Sequence, residues 1–331
     1  MSYIAVIGAG SWGTTLSRLL AEKGYDVSLW VYENDLCGEM KVTRINSVYL
    51  PEFSIPHNVL ITSDIKEALH QARYILNVVP TQYARAIMKS ALPHIHSDSV
   101  IINASKGIEQ KSLLTFSGIM KELTHHNVAV LSGPSFAHEV GRKLPTAVTL
   151  SSDDAPTALL LQEIFNTHYF RVYTHDDTLG VELGGALKNV IAIASGISDG
   201  LRLGHNARAA LLTRGLAEIV RLGGAMGARE QTFSGLSGLG DLLLTCTALL
   251  SRNYTLGTKL ALGLKLNDIL SQSKSVIEGV ATCESAYELS RKYAVQMPFV
   301  EQIYMVLYEG KDPGLAVAEL MNRALKTEFH A

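Results

Sequence analysis

Short runs of apolar residues alternate with longer amphipathic stretches through the first half of the chain. The runs are rich in valine and isoleucine and are uninterrupted, which is typical of strands covered on both faces. They predict eight strands, at residues 3–7, 26–31, 59–62, 74–79, 99–103, 128–131, 146–151 and 170–173. Helical patterns lie between several of them, such as 14–23 and 82–92. Repeated strand–helix–strand units predict an α/β fold with a doubly wound parallel sheet.

The pattern changes in the second half, where strand-like runs fade and long helical periodicities follow one another. They predict helices at residues 183–198, 207–222, 275–293 and 297–309. We therefore expect two domains, an α/β domain at 1–178 and an all-helical domain at 179–331. This length suits two domains that each bury a core.

Composition limits the classes of protein that this chain could be. It has 331 residues, 47% of them hydrophobic and 18% charged, with a formal net charge of −2. A disordered chain would be less apolar, and a general nucleic-acid or polybasic membrane binder would be more basic. An anionic ligand must therefore meet a local cluster of positive charge.

Cysteine usage and the N-terminal sequence indicate a cytoplasmic protein. The three cysteines, at positions 37, 246 and 283, form no CxxC motif and offer no metal-ligand spacing, so we expect reduced thiols and no metal. The N-terminus lacks the pattern of a signal peptide, and no apolar run is long enough to predict a membrane span.

A glycine-rich loop follows the first predicted strand. Gly8, Gly10 and Gly13 form a G-x-G-x-x-G between an apolar run at 4–7 and a helical pattern at 14–20. In this context Gly8 permits a tight turn, Gly10 admits a pyrophosphate and Gly13 allows close helix–strand packing. The loop predicts a Rossmann-type dinucleotide site at a helix N-terminus.

The end of the second strand bears on the choice between NAD and NADP. An acidic residue there binds the ribose 2′-hydroxyl, whereas an arginine accepts a 2′-phosphate. Glu33 lies 20 residues after Gly13, but Tyr32 could occupy the decisive position and leave Glu33 in solvent, and no arginine follows until Arg44. Either cofactor therefore stays possible, with a slight preference for tolerance of NAD.

Other candidate ligand contacts follow predicted strands, at the edge of the sheet where ligands bind in open α/β folds. Lys106 directly follows an apolar strand and is either a ligand contact or a solvated loop lysine. Ser135 follows Gly133 in a Gly-Pro-Ser loop. Its hydroxyl could bind a ligand or cap a helix.

Lys188 is the only charged residue between Glu182 and Asp199. An ammonium buried among small and apolar residues has a lowered proton affinity or needs an anion, which suits a proton donor near neutral pH. A lysine that reaches the surface of its helix is the alternative.

A third polar cluster lies between residues 241 and 253. Asp241 begins an apolar helix, where it could simply cap it, and Thr245 lies on the same helical face. Arg252 and Asn253 could bind a phosphate through the guanidinium fork, or lie in an exposed turn.

These motifs, in this order, resemble the soluble, bacterial-type glycerol-3-phosphate dehydrogenases that use NAD(P). The resemblance covers nearly the whole chain. It rests on residues 8–14, 104–107, 131–137, 185–192, 206–218, 238–241 and 251–253. It implies a fold like that of 6-phosphogluconate dehydrogenase and the reversible reduction of dihydroxyacetone phosphate to sn-glycerol 3-phosphate, which supplies phospholipid synthesis. NADPH or NADH would be the cofactor, without a metal, and the chain would be a homodimer.

The resemblance also implies roles for individual residues. Lys188 would exchange the proton, with Lys106 and Asp241 as the other catalytic groups. The substrate pocket would comprise Lys106, Gly133, Ser135, Lys188, Asp241, Thr245, Ser251, Arg252 and Asn253. The cofactor contacts would be Gly8, Gly10, Ser11, Trp12, Gly13, Tyr32, Lys106, Ala137, Arg252, Val276 and Glu278. Tyr32 replaces the Arg or His that many members carry, so strict NADPH use is not expected.

Two other functions are compatible with parts of this pattern. One is a dehydrogenase of the same architecture acting on a hydroxy acid or a ketoacid. The other is a dinucleotide-sensing protein without turnover, although a sensor needs no proton donor such as Lys188.

Overall fold

The computed structural model describes residues 3–325, 327 and 328. The strands are β1 (Tyr3–Ile7), β2 (Asp26–Trp30), β3 (Ile45–Asn46), β4 (Leu50–Ser54), β5 (Val59–Thr62), β6 (Ala72–Asn77), β7 (Val100–Asn103), β8 (Val128–Ser132), β9 (Thr146–Ser152) and β10 (Phe170–His175). The α-helices of the first half are α1 (Ser11–Glu22), α2 (Asn34–Thr43), α3 (Ile65–Leu69), α4 (Thr81–Ala91), α5 (Phe116–Leu123), α6 (Ala137–Gly141) and α7 (Ala155–Phe165).

The second half, as far as it is described, is helical. Its α-helices are α8 (Thr178–Gly200), α9 (Gly204–Ala225), α10 (Asp241–Thr247), α11 (Arg252–Ala261), α12 (Leu266–Ser271), α13 (Glu278–Lys292), α14 (Pro298–Tyr308) and α15 (Pro313–Met321). A π-helical turn, Leu236–Gly240, leads directly into α10. The four predicted helices of this half are all present, with bounds that differ by a few residues.

The eight predicted strands form one mostly parallel sheet, in the order β10-β9-β8-β7-β6-β1-β2-β5. This confirms the predicted fold class. One detail differs, because β9 pairs antiparallel with β8, and β10 then runs parallel to β9. The link from β8 to β9 contains only the short helix α6, whereas α7 provides the crossover that parallel pairing needs between β9 and β10.

The strands are buried on both faces, as their continuous apolar sequences predict. Ile4, Ala5, Val6 and Ile7 of β1 are fully buried in the centre of the sheet. One apolar cluster lies on each face of the sheet, and a third fills the helical half.

Helix α8 forms the core of the helical half. By length and composition it could cross a membrane, but all of its apolar window is buried inside the protein. A Cβ at Gly196 would lie 2.0 Å from the Tyr254 carbonyl oxygen, and one at Gly257 would lie 2.0 Å from the Ile193 carbonyl oxygen. Glycine at both positions therefore lets the backbones of α8 and α11 touch.

Strands β3 and β4 form a small antiparallel hairpin that the sequence pattern does not predict. β3 has two residues, and β4 contains Pro51. The hairpin packs beside the dinucleotide loop, which gives it a place in the candidate site.

Candidate active site

The loop between β1 and α1 has the geometry that its glycines predict. Gly8 has a φ of +111°, and a Cβ at Gly13 would lie 1.9 Å from the Gly8 carbonyl oxygen. A Cβ at Gly10, in contrast, would meet no atom within 4 Å. Helix α1 begins at Ser11 without a side-chain cap, so its first amides are available to an anion. This cradle fits the pyrophosphate of a dinucleotide.

Asn46 of the hairpin holds this loop in place. Its side-chain amide donates to the Ala9 carbonyl at 2.7 Å and to the Thr14 hydroxyl at 2.8 Å, and the residue is fully buried. Its oxygen accepts from the Tyr49 amide at 3.0 Å. Nothing in the sequence singles out Asn46 or Tyr49, since neither lies in a regular apolar pattern or in one of the motifs described above.

The end of β2 places Tyr32 and Glu33 at the surface. Tyr32 is 72% exposed and packs its edge against Trp30. The Glu33 carboxylate accepts a hydrogen bond of 2.9 Å from the Tyr49 hydroxyl. The Glu33 side chain is therefore exposed to solvent, but the hydrogen bond from Tyr49 fixes its position.

Lys188 lies in the middle of α8 and does not reach solvent. It is 6% exposed, and its ammonium donates to Asp241 Oδ1 at 2.5 Å and to Thr245 Oγ1 at 2.6 Å. Burial lowers the pKa of Lys188 from 10.5 to about 8, opposed by the attraction of the Asp241 carboxylate and reinforced by the Lys106 charge. The surface-reaching alternative is thus excluded.

Asp241 joins two ammonium groups from opposite halves of the chain. It is 1% exposed, and its Oδ2 accepts from Lys106 Nζ at 2.6 Å. Lys106 also donates to the Gly133 carbonyl at 2.9 Å, so it is not a solvated loop lysine. Gly133 has a φ of +141°, and a Cβ there would lie 2.9 Å from the Val148 Cα. We refer to Lys106, Lys188, Asp241 and Thr245 as the lysine–aspartate cluster.

The hydroxyl groups of Ser135 and Ser251 have different roles. Ser135 donates to the Gly133 carbonyl at 3.1 Å, and it is not the N-cap of α6, which is Phe136. Ser251 is the N-cap of α11 and accepts from the Tyr254 amide at 3.3 Å. Ser251 therefore caps a helix, and Ser135 does not.

The polar pair after Ser251 begins α11. Arg252 is exposed, and its guanidinium donates to the Val276 carbonyl at 2.8 Å. Asn253 is buried, donates to Asn189 Oδ1 at 2.9 Å and accepts from the Gly279 amide at 3.0 Å. The α11 N-terminus is thus connected both to α8, beside Lys188, and to the segment before α13.

Glu278 links the helical half to the sheet. Its carboxylate accepts from the Thr81 amide at 3.1 Å, at the start of α4 after β6. Burial raises the pKa of Glu278, opposed by the Thr81 amide and the Arg252 charge. Val276, two residues earlier, is exposed.

The remaining predicted cofactor contacts lie around α1. Ser11 and Trp12 form its first turn, and Trp12 packs against Phe170. The Ala137 carbonyl accepts from Thr15 Oγ1 at 3.1 Å, which fixes the start of α6 against α1. In the part of the chain that the structure describes, no group of three His, Cys, Asp or Glu side chains could hold a metal ion.

Comparisons with known proteins agree with this architecture. Family models for the N-terminus and the C-terminus of NAD-dependent glycerol-3-phosphate dehydrogenase match residues 3–158 and 177–318. A glycerol-3-phosphate dehydrogenase [NAD(P)+] of Syntrophotalea carbinolica is 51% identical, over 98% of this chain and 99% of the relative. A protein of the same name from Geobacter sp. is 53% identical, over 98% of both chains.

Solved structures give the same result. The crystal structure of glycerol-3-phosphate dehydrogenase from Coxiella burnetii is similar with a TM-score of 0.94 and 42% identity, covering 97% of this chain and 99% of that one. A ketopantoate reductase from Ralstonia eutropha shares the fold alone, at a TM-score of 0.63 and 15% identity. The protein is an NAD(P)-dependent oxidoreductase, and it belongs to the family of NAD-dependent glycerol-3-phosphate dehydrogenases.

Proposed function

We propose that this protein reduces dihydroxyacetone phosphate reversibly to sn-glycerol 3-phosphate with NAD(P)H. The observation that carries the proposal is the lysine–aspartate cluster, which places two ammonium groups on one buried carboxylate near the ligand edge of the sheet. The sequence similarity to glycerol-3-phosphate dehydrogenases supports the choice of substrate.

Lys188 supplies the proton in this mechanism. A nicotinamide bound at the dinucleotide loop would supply a hydride to the keto carbon, and negative charge would then grow on the keto oxygen. An ammonium has three N–H groups, and the bonds to Asp241 and Thr245 use two of those on Lys188. The third can donate to the substrate oxygen, and a pKa of about 8 allows release and recovery of the proton near neutral pH.

Lys106 and Asp241 stabilise and position the reacting groups. Asp241 fixes both ammonium groups, so they need no reorientation as charge develops. The remaining N–H of Lys106 adds a preorganised donor, of a kind worth about 3–4 kcal/mol of transition-state stabilisation. Thr245 holds Lys188 from the same helical face as Asp241.

The substrate phosphate binds at the start of α11 in this proposal. Arg252 provides a guanidinium fork at the surface, with Asn253 and Ser251 beside it. Gly133 and Ser135, which lie next to Lys106, would complete the substrate pocket. Anchoring the phosphate aligns the carbonyl with the ammonium of Lys188.

The dinucleotide loop would hold the cofactor in this proposal. Gly8, Gly10 and Gly13 shape the cradle, Ser11 and Trp12 present the first amides of α1, and Ala137 lies alongside. Arg252, Val276 and Glu278 would contact the cofactor from the helical half, and Lys106 would contact it from the end of β7. Tyr32, after β2, would lie near the adenosine. The residues present therefore suit NADH or NADPH.

A steady-state assay tests the function. Oxidation of NADH and NADPH is followed with dihydroxyacetone phosphate, with unphosphorylated dihydroxyacetone and with a 2-ketoacid. We expect turnover to require the phosphorylated ketone. Equal or faster turnover of the ketoacid would favour a different dehydrogenase, and binding of the cofactor without turnover of any ketone would favour a sensor.

The proposal also covers where the enzyme works, what it supplies and how it assembles. We infer that the enzyme works in the cytoplasm, because its three cysteines are free and buried, and that it supplies glycerol 3-phosphate for phospholipid synthesis. We also infer a homodimer from the family resemblance, which light scattering can test. Residues 1–178 would form the dinucleotide-binding domain and 179–331 the domain that carries Lys188.

A further inference from the structure

A tight turn between α10 and α11 presents two adjacent leucines to solvent. Leu249 is 82% exposed and Leu250 is 56% exposed. The Ser251 amide donates to the Ala248 carbonyl at 3.0 Å, which places the two leucines at the corner positions of a β-turn. These corners usually carry small or polar residues, and leucine has no conformational advantage there. The fold therefore gives no reason for two leucines at this exposed site.

Hydrogen bonds hold this turn against α11. The Ser251 hydroxyl accepts from the Tyr254 amide at 3.3 Å. Thr255 Oγ1 donates to the Leu249 carbonyl at 3.3 Å. Both leucines also line a cavity of about 160 Å³, together with Ile269 of α12. Because the turn is already ordered, it can present two apolar side chains to a binding partner with little loss of conformational freedom.

The surroundings of the turn are basic. Residues 242–277, between the two carboxylates of the candidate active site, carry a net charge of +3 in a chain whose formal net charge is −2. They contain one acidic residue and four basic ones, which are Asp268, Arg252, Lys259, Lys265 and Lys274. Lys259 lines the same cavity as the two leucines, and Lys274 directly follows Ser273, which also lines it. In the described part of the chain, no ion pair neutralises Lys259 or Lys274.

An anionic lipid surface fits these features better than another protein does. A twofold dimer through the turn would bring two copies of the same basic patch together. A protein partner needs a complementary surface of about 800 Å² on each side, whereas a bilayer accepts a small turn of any shape. The boundary between headgroups and acyl chains accommodates leucine side chains, and anionic headgroups attract the lysines beside them.

We propose that the turn at Leu249 and Leu250 docks this protein on anionic lipid bilayers. The two leucines enter the interfacial region, and Lys259 and Lys274 lie near the lipid phosphates. Arg252 lines the same cavity, so docking brings the phosphate end of the proposed substrate site close to the membrane surface. This interaction is additional to the proposed function and does not depend on it.

The test is flotation of the full chain with lipid vesicles, without cofactor or substrate. One set of vesicles contains equal parts of phosphatidylglycerol and phosphatidylcholine, and the other contains phosphatidylcholine alone. Each basic residue near an anionic bilayer corresponds to a factor of about 5 in affinity, so we expect the anionic vesicles to bind at least about tenfold more tightly at low salt. Salt at about 0.5 M should remove most of this difference. Equal affinity for the two sets, or binding to neither, would overturn the proposal.

Leucine variants test the turn itself. Leu249→Ser combined with Leu250→Ser should weaken binding to anionic vesicles by at least about tenfold, because both apolar contacts with the bilayer are lost. The matched control is Leu159→Ser combined with Leu160→Ser, an adjacent exposed pair on α7, which should bind as the wild type does. Unchanged binding in the first double variant, or an equal loss in both, would contradict the role of the turn.

Lysine variants test the charge and do not depend on how well the leucine variants fold. Lys259→Gln and Lys274→Gln should each weaken binding about fivefold, whereas Lys66→Gln, at an exposed site on α3, should not. Light scattering of the leucine variants addresses contact with a second copy of the chain. A fall to half the wild-type mass, with vesicle binding unchanged, would show that the turn is an interface between copies and would refute membrane docking.

Discussion

Lys188 lies in the buried apolar part of α8, where it is costly to keep an ammonium group charged. Burial lowers its pKa, and the adjacent Asp241 carboxylate limits the decrease, so the value of about 8 is a balance of the two. Both protonation states are therefore accessible in the physiological range. An exposed lysine would be almost entirely protonated there and would release its proton reluctantly.

Replacing Lys188 by alanine removes the proposed proton donor but no group that touches the cofactor loop. We expect kcat to fall by a factor of about 10²–10⁴, as for other general acids, with the Kd for NADH nearly unchanged. Lys89→Ala, at an exposed site on α4, is the control and should leave both quantities unchanged. Near-normal turnover of Lys188→Ala would show that the proton comes from another group.

The lowered pKa of Lys188 predicts that kcat/KM for reduction and kcat/KM for oxidation change with pH in opposite directions. Reduction needs protonated Lys188, so its kcat/KM should fall as the pH rises through about 8. Oxidation needs the neutral amine, so its kcat/KM should rise over the same range and then level off. Initial rates of reduction and of oxidation, measured from pH 6 to 10, check this prediction. If kcat/KM changes with pH in the same direction for both reactions, Lys188 is not the proton donor.

Arg252→Ala tests the proposed phosphate anchor. Loss of a charge-assisted hydrogen bond should raise the KM for dihydroxyacetone phosphate by about tenfold to a hundredfold. Lys259→Ala removes a positive charge from the same helix away from its N-terminus and should leave KM unchanged. If KM is the same in all three proteins, another cation binds the phosphate.

The functional role of a single residue could be predicted from the sequence only where that residue differed clearly from its neighbours in the chain. Lys188 stands out as a lone charge in an apolar helix, and Lys106 directly follows a strand. The shared carboxylate of Asp241 was not predictable, because it depends on side chains that are distant in sequence meeting in space. Asn46 was missed because a buried asparagine in a short hairpin carries no periodic signal.

In the turn from β1 into α1, Gly10 and Gly13 have different roles. Gly13→Ala puts a methyl group onto the Gly8 carbonyl, so we expect marked destabilisation and loss of soluble protein. Gly10→Ala meets no protein atom, and its φ of −65° suits alanine, so thermal stability should be unchanged. Its NADH affinity should fall sharply, because the methyl group occupies the space that the pyrophosphate approaches.

Thermal unfolding and NADH titration of the two variants check this contrast. Each variant serves as the control for the other, since both add one methyl group to the same loop. Normal NADH affinity in Gly10→Ala would mean that the dinucleotide does not approach the loop at that glycine.

Element positions were predictable to within a few residues, because buried strands and long helices carry strong apolar patterns. Strand direction was not, since a continuous apolar run such as β9 looks the same in either orientation. The β3–β4 hairpin was also missed. It is short, contains Pro51 and has no alternating apolar pattern, and Arg44 fixes its base through the carbonyls of Ile55 and Val59.

At the scale of the whole molecule, the lysine–aspartate cluster connects the two halves of the chain. Lys106 follows β7 in the sheet, Lys188 belongs to α8, and Asp241 begins α10. Asp241→Asn would leave two ammonium groups close together without their anion. We expect the free energy of unfolding to fall by about 3–5 kcal/mol and turnover to be lost, as measured by urea unfolding and the steady-state assay.

The double variant Asp241→Asn with Lys106→Met provides the control. It removes one of the two unpaired charges, so stability should recover in part while activity does not. No recovery would mean that Asp241 stabilises the protein through packing rather than through its charge.

The burial of α8 also has a consequence for synthesis of the chain. The helices that pack against it extend to Tyr308, so a helix long and apolar enough to cross a bilayer leaves the ribosome before all of the residues that cover it exist. During that interval the nascent chain exposes a surface that favours aggregation or chaperone binding. Substitutions in α10 or α11 that slow docking onto α8 should therefore reduce the yield in cells more than they reduce the stability of the finished protein.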